Sequence, residues 1–292
     1  MKNKIKIITD NGCDLDSSWL NENDIHVIKF ELVMDDVEYQ GETNNEIDTL
    51  LFYDKLVNGS LPKTNQINPY AANIHIEPFL KEGYDILYIS FSSGLSGSYN
   101  SVNLACDELK VKYPNQKICV VDSLCASLGQ GLYIDYIVKY LRKGHSFEDL
   151  VKYSLDLKLK INHDFTVNDL FHLRRGGRVS ASSAIFGTLF SIKPILHVDS
   201  KGKLIPINKV RGRLASIKKL VERFVENNEV EENDPIFISH GNCYDDALIL
   251  EKMIKEIKPN NHIYINLIGP IIGAHSGQGT LALFYKGKIR ED

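Results

Sequence analysis

The spacing of apolar residues changes along the chain in a way that separates strands from helices. "KIKIITD" (4–10) alternates apolar and polar positions and ends in Thr9 and Asp10, which predicts a strand. "DLDSSWL" follows and can open a helix with Asp14 or Asp16 as cap. "IHVIKFELVM" (25–34) predicts a second strand that turns at "DD" into "VEYQ", a small hairpin. "EIDTLLFYDKL" (46–56) has helical spacing, and Asn68 with Pro69 suit the cap and first position of another helix. "YDILYISF" (84–91) and "KICVVD" (117–122) are nearly continuous apolar runs, as in strands covered on both faces. Each feeds a small-residue loop and then a helix. After the first, Val102, Ala105, Cys106 and Leu109 recur at helical spacing; after the second, "SLCASLGQGLYIDYIVKYL" does the same.

The second half is patterned differently. "SIKPILHVD", "SKGK" and "LIPINKV" predict a β-hairpin, followed by a helix (213–227), a strand (235–240), a helix (245–257) and strands at 262–268 and 280–286. The fold class is therefore α/β in two parts. Residues 1–160 make a doubly wound, mostly parallel sheet with a hairpin insertion near 30–45. Residues 161–292 make an α+β domain with a mixed sheet, the boundary falling in the polar stretch near residue 160. In doubly wound sheets ligands sit at the carboxyl ends of the strands. That is where "SFSSGLSGSYNS" (90–101) places six serines and two glycines, more than a plain turn needs.

Composition narrows the function classes. With 292 residues, 43% hydrophobic and 25% charged, the chain can bury a sizeable core as a soluble globular protein. A net charge of −4 gives no reason to expect nucleic acid or an anionic membrane surface as partner. The five cysteines show no C-x-x-C pair and no metal-like spacing with histidine, so reduced thiols and a cytoplasmic location are expected. "MKNKIKIITD" lacks the apolar core of a secretory signal. The 27 residues from Pro259 to Tyr285 carry no Asp, Glu, Lys or Arg, but two prolines and four glycines make them two strands joined by a glycine-rich loop rather than a membrane helix.

Four loops could carry chemistry: "LPKTNQ" (61–66), "SSGLSGS" (92–98), "LRRGGRVS" (173–180) and "GPIIGAHSGQG" (269–279). "GLSGS" misses the G-x-S-x-G nucleophile elbow by its last residue. "GQGTLA" (277–282) matches G-x-G-x-x-A, but strand rather than helix is expected after it and no acidic ribose ligand can follow. His172, His197, His240 and His262 form no metal set. What remains is hydroxyls, backbone N–H groups at a strand-to-helix turn, and His275, an environment suited to an anion such as a carboxylate.

These loops in this order, with "TD" and "DL" at 9–15, "LPKT", "SSGLSGSY", "DS…S.GQG", "LRRGGRVS", "IKPIL", "KVR" and "IGPIIGAHSGQG", resemble the bacterial DegV family of fatty-acid-binding proteins over essentially the whole chain. The resemblance implies a two-domain α/β protein that encloses one long-chain fatty acid between its parts and has no enzymatic activity and no cofactor. A separate ATP-dependent fatty acid kinase would phosphorylate the bound carboxylate, and the acyl-phosphate would enter phospholipid synthesis. Where the family commonly has "TDSTADL" and "TSQ", this chain has "TDNGCDL" and "TNQ", with Asn65 at the middle position of the second.

Carried over residue by residue, the resemblance implies that Thr64, Ser93, Gly94 and His275 hold the carboxylate. Arg174, Arg178 and Arg211 are candidates for kinase docking or phosphate contact, and Arg175 reads as structural. "VSASSAIFGTLFSI" (179–192) is uncharged for 14 residues and suggests a tail pocket lined by Phe165, Leu170, Ile185, Phe186, Leu189 and Phe190, with Ile271 and Ile272 beside it. Burying each methylene is worth about 0.8 kcal/mol, against roughly 1–3 kcal/mol for a head-group hydrogen bond, so the tail should dominate affinity. The competing reading is a lipid or ester hydrolase using Ser93 or Ser96 with His275 and Asp122.

Overall fold

The computed structural model of the protein describes residues 4–40, 45–168, 170–179 and 191–292. In chain order, β1 (Ile5–Asp10), α1 (Ser17–Glu22) and β2 (His26–Ile28) are followed by β3 (Glu31–Met34), β4 (Val37–Gln40), α2 (Thr49–Val57) and β5 (Lys63–Asn65). Then come α3 (Pro69–Lys81), β6 (Asp85–Ser90), α4 (Ser98–Lys112), β7 (Ile118–Asp122), α5 (Leu128–Arg142) and α6 (Phe147–Leu157). The remainder is β8 (Ile161–Thr166), α7 (Phe171–Arg175), β9 (Ile192–Val198), β10 (Leu204–Arg211), α8 (Arg213–Asn227), β11 (Ile236–His240), α9 (Tyr244–Ile257), β12 (Ile263–Leu267), α10 (Pro270–Ser276) and β13 (Leu281–Lys286).

Local chemistry sets the ends of these elements. Asp16 accepts the Trp19 N–H at 2.7 Å and caps α1, while Asn68 accepts the Ala71 N–H at 2.8 Å with Pro69 at the first position of α3. Asp35 and Asp36 both take positive φ (53° and 62°), which the tight turn between β3 and β4 requires. The single strand expected over 25–34 is two, because the Phe30 N–H leaves the ladder to bond Asn11 Oδ1 at 2.8 Å.

Three sheets result. β2-β1-β6-β7 is parallel throughout, with α3 and α4 on one face and α5 and α6 on the other. All six residues of β6 are buried, as a strand covered on both faces demands. β10-β9-β8-β13-β11-β12 is mixed, and β4-β3-β5 is a small antiparallel sheet. Helix α5 packs on β8, β11 and β13 of the mixed sheet, and one apolar cluster runs from Ile7, Leu87 and Val121 through Leu132 to Phe165, Phe237 and Phe284.

Three elements differ from the sequence reading. The polar stretch near residue 160 is β8, a central strand whose His163 and Asp164 are buried. Asp164 accepts from Tyr285 and pairs with Arg223, which is how a polar strand enters a sheet interior. "GPIIGAHS" is not loop but α10, with Pro270 at its first position. α6 carries a capping box between Ser146 and Asp149 and escaped notice in the sequence. Among the described residues no helix is long and apolar enough to cross a membrane.

Candidate functional site

Beyond the carboxyl ends of β6 and β7, facing the inner side of the mixed sheet, is a cavity of about 350 Å³. That is within the range of small-ligand sites. Its walls are mostly apolar: Phe30, Phe91, Leu95, Phe165, Leu173, Val198, Leu204, Ile268, Ile271, Ile272, Ala282 and Phe284. Strands supply them by alternation, as with Ala282 and Phe284 on β13.

Polar groups gather where the four loops converge. Thr64 stands opposite Leu32 in the small sheet, and its hydroxyl meets His275 Nε2 at 2.7 Å. Gly176 lies on the other edge of that imidazole, where a Cβ would come within 2.3 Å of Nδ1. The glycine is needed for this approach. Arg175 donates to the carbonyls of Pro62 and Ala274, both at 3.1 Å, and so ties the Thr64 segment to α10. Arg178 donates from Nε to the Leu95 carbonyl at 3.1 Å and itself lines the cavity. Burial, and then the charges of Arg178 and Arg175, push the His275 pKa down to about 4, so its ring is neutral near pH 7.

The serine loop is mostly a clasp. Ser92 donates to the Gly202 carbonyl at 2.8 Å, Ser98 accepts the Ile67 N–H at 3.1 Å, and Ser101 accepts from Gln66 at 3.0 Å. Ser93 is exposed, with its N–H bonded to Asp122. Gly94 permits close packing on the β9–β10 turn, since a Cβ would meet the Lys201 carbonyl at 2.5 Å. Neither Ser93 nor Gly94 is among the lining residues; Ser96 and Gly97, further along the loop, are. Asn65 also lines the cavity, and its side-chain amide donates to Glu31 at 2.8 Å.

A second polar group lies on the cavity wall. Ser127 Oγ donates to Asp14 Oδ2 at 2.5 Å and meets Ser239 Oγ at 3.0 Å, while Gly269 N–H bonds Asp14 Oδ1 at 3.0 Å. Asp14 is thereby the joint between the first strand, the start of α5 and the start of α10. Burial pushes its pKa up to about 7, against the bonds from Ser127 and Gly269. His163 is held neutral by burial, its Nδ1–H donating to the Ile161 carbonyl while Nε2 accepts the Ala126 N–H. A smaller cavity of about 190 Å³, lined by Leu56, Val57, Asn168, His172, Ser276 and Gln278, shares Ser276 with the first.

Of the residues singled out in the sequence, Thr64, His275, Arg178, Phe165, Ile271 and Ile272 line the cavity. Leu170 is buried in the adjacent core, and Arg174 and Arg211 are exposed; none of the three lines it. Ile185, Phe186, Leu189 and Phe190 lie outside the described residues. Sequence reasoning missed Phe30, Phe91, Leu95, Ser127, His163, Ser239, Thr280, Ala282 and Phe284; strand alternation was an available signal for His163, Ser239, Ala282 and Phe284, while the others lie in loops and turns that carry no such pattern. A hydrolytic triad is not assembled. His275 meets Thr64 rather than a serine of the 90–101 loop, and its Nδ1 is bonded to no group among the described residues. Asp122 accepts from the Ser93 and Leu124 amides instead. No group of three or more His, Cys, Asp or Glu among the described residues could hold a metal ion.

The chain was compared with known proteins. The family described as "Uncharacterised protein, DegV family" matches residues 4–288. A DegV domain-containing protein of Clostridium perfringens is 40% identical over 289 residues, covering 99% of each chain. The structure of a fatty acid binding DegV family protein from Streptococcus agalactiae is similar at a TM-score of 0.85 and 30% identity, over 98% of this chain and 99% of that one. The structure of DegV from Bacillus subtilis, a fatty acid binding protein, is similar at a TM-score of 0.83 and 28% identity, over 98% of this chain and 100% of the other. With a family match across nearly its whole length and the same architecture in solved relatives, the chain belongs to the DegV family.

Proposed function

We propose that this protein binds one long-chain fatty acid in the cavity and does not itself turn it over. The supporting observation is the combination of a mostly apolar cavity with a hydroxyl–imidazole pair, Thr64 and His275, where four loops meet. Relatives described as fatty-acid-binding share the whole fold. In this reading residues 1–160 and 161–292 are two units with the ligand between them. His275 Nε2–H donates to the Thr64 hydroxyl, Thr64 and Ser96 donate to the carboxylate, Arg178 attracts it, and Phe165, Ile271 and Ile272 pack along the tail.

Arg178 is bonded to the Leu95 and Gly176 carbonyls, so the groups that bond the carboxylate directly in this reading are neutral and leave an oxygen nucleophilic. We therefore extend the reading to a separate, cytoplasmic, ATP-dependent fatty acid kinase. The carboxylate oxygen would attack the γ-phosphorus and ADP would leave, giving an acyl-phosphate for phospholipid synthesis. Arg174 and Arg211, both exposed, are the proposed contacts for that partner. The test is denaturing mass spectrometry of organic extracts from freshly purified protein. One equivalent of a C14–C20 fatty acid is expected. Protein that is empty and takes up no added fatty acid would overturn the reading.

A further inference from the structure

One wall of the apolar cavity is a row of hydroxyls. Ser127, Ser239, Ser276 and Thr280 all line it, and all four are buried, at 6%, 0%, 7% and 3% exposure. Position rather than chance groups them. Ser239 stands opposite Ala282 where β11 pairs β13, and Thr280 lies two residues before Ala282 on the same face. Thr280 Oγ1 in turn donates to the Ser276 carbonyl at 2.9 Å.

Counting donors and acceptors shows what the row lacks. Ser276 Oγ is buried and bonded to no group among the described residues. Ser239 shares one bond with Ser127, which is bonded to Asp14. If Asp14 is ionised, Ser239 donates to Ser127 and its lone pairs are left without a donor among the described residues. If Asp14 holds a proton, Ser127 donates to Ser239, whose own O–H is then left without an acceptor among the described residues. A plain hydrocarbon tail can meet neither need, and burying such a group unpaired is unfavourable. A hydroxyl on the ligand both donates and accepts, so it fits either state.

From this we infer that the cavity is matched to a long-chain fatty acid that carries a hydroxyl group on its chain, bonded by Ser239 or Ser276. The inference rests on the fatty-acid reading above and narrows its substrate class.

The experiment compares binding of stearate with a panel of hydroxystearates whose hydroxyl moves along the chain, using delipidated full-length protein and isothermal titration calorimetry. One isomer, or two with neighbouring positions, is expected to bind roughly fivefold to tenfold tighter than stearate, the value of one net hydrogen bond. In Ser239→Ala or in Ser276→Ala the ratio of that isomer's affinity to stearate's should fall to about one. The variant that does so identifies the bonding hydroxyl. If stearate binds but no isomer exceeds it, the row is satisfied by water and the inference is wrong. It is equally wrong if the gain is the same at every hydroxyl position or survives both substitutions. If neither stearate nor any hydroxystearate binds, the fatty-acid reading itself falls, a result distinct from the others.

Discussion

Asp14 illustrates how much one side chain carries in this protein. Its carboxyl is buried and accepts from the Ser127 hydroxyl and the Gly269 amide, which are neutral donors. Burial raises its pKa from 3.8 to about 7, against the lowering effect of those two bonds. A carboxyl that ionises less readily folded than unfolded opposes folding progressively as pH rises through that window, and the cost is complete above pH 7. Asparagine removes the ionisation and can still accept from Gly269 while its amide donates to Ser127. Asp14→Asn should therefore gain stability relative to the parent between pH 4 and pH 8, by roughly 4 kcal/mol at most. Urea denaturation of both proteins at the two pH values checks this. A stability difference that does not change with pH would mean that Asp14 titrates normally in the folded chain.

At the scale of elements, the "GQG" turn shows why α5 begins as it does. A Cβ on Gly129 would lie 2.1 Å from His163 Nε2. That imidazole cannot move aside, because it is 3% exposed and both its nitrogens are bonded. Gly129→Ala should therefore destabilise the fold by about 1–3 kcal/mol by forcing α5 off β8. Gly97 is the control. Its nearest obstacle, at 2.1 Å, is the end of the exposed Gln66 side chain, which can rotate away. Gly97→Ala should cost under about 1 kcal/mol. Thermal unfolding of the two variants side by side tests the ranking, and equal losses would refute it.

For the whole molecule, the cavity between the parallel and mixed sheets makes ligand and fold one thermodynamic system. A ligand that binds the folded chain adds about 2.7 kcal/mol at a hundred times its dissociation constant. For a chain of this size that corresponds to roughly 5–10 °C in melting temperature. Delipidated protein should melt lower by about that amount and recover on adding fatty acid. A melting temperature indifferent to both treatments would argue that the cavity stays empty.

The sequence alone determined the parts whose signals are local. Apolar runs without interruption marked β6 and β7, Asn68–Pro69 marked the start of α3, and the order of the loops pointed to the family. Thr64 and His275 stood out because of the motifs around them. Tertiary structure decided what depends on residues far apart in the chain. β8 reads as a polar linker until Arg223 and Tyr285 arrive to satisfy Asp164. α10 carries no more apolar residues than a strand would, and the Gly269 amide just before Pro270 is held by Asp14, 255 residues away. Nor could the serine loop be read one residue at a time. Ser92, Ser93, Ser96 and Ser98 are alike in sequence, and only their partners decide which of them clasps a neighbouring loop and which faces the cavity. Hydrogen-bond satisfaction in a buried interior is a property of pairs, and the pairs exist only once the chain has folded.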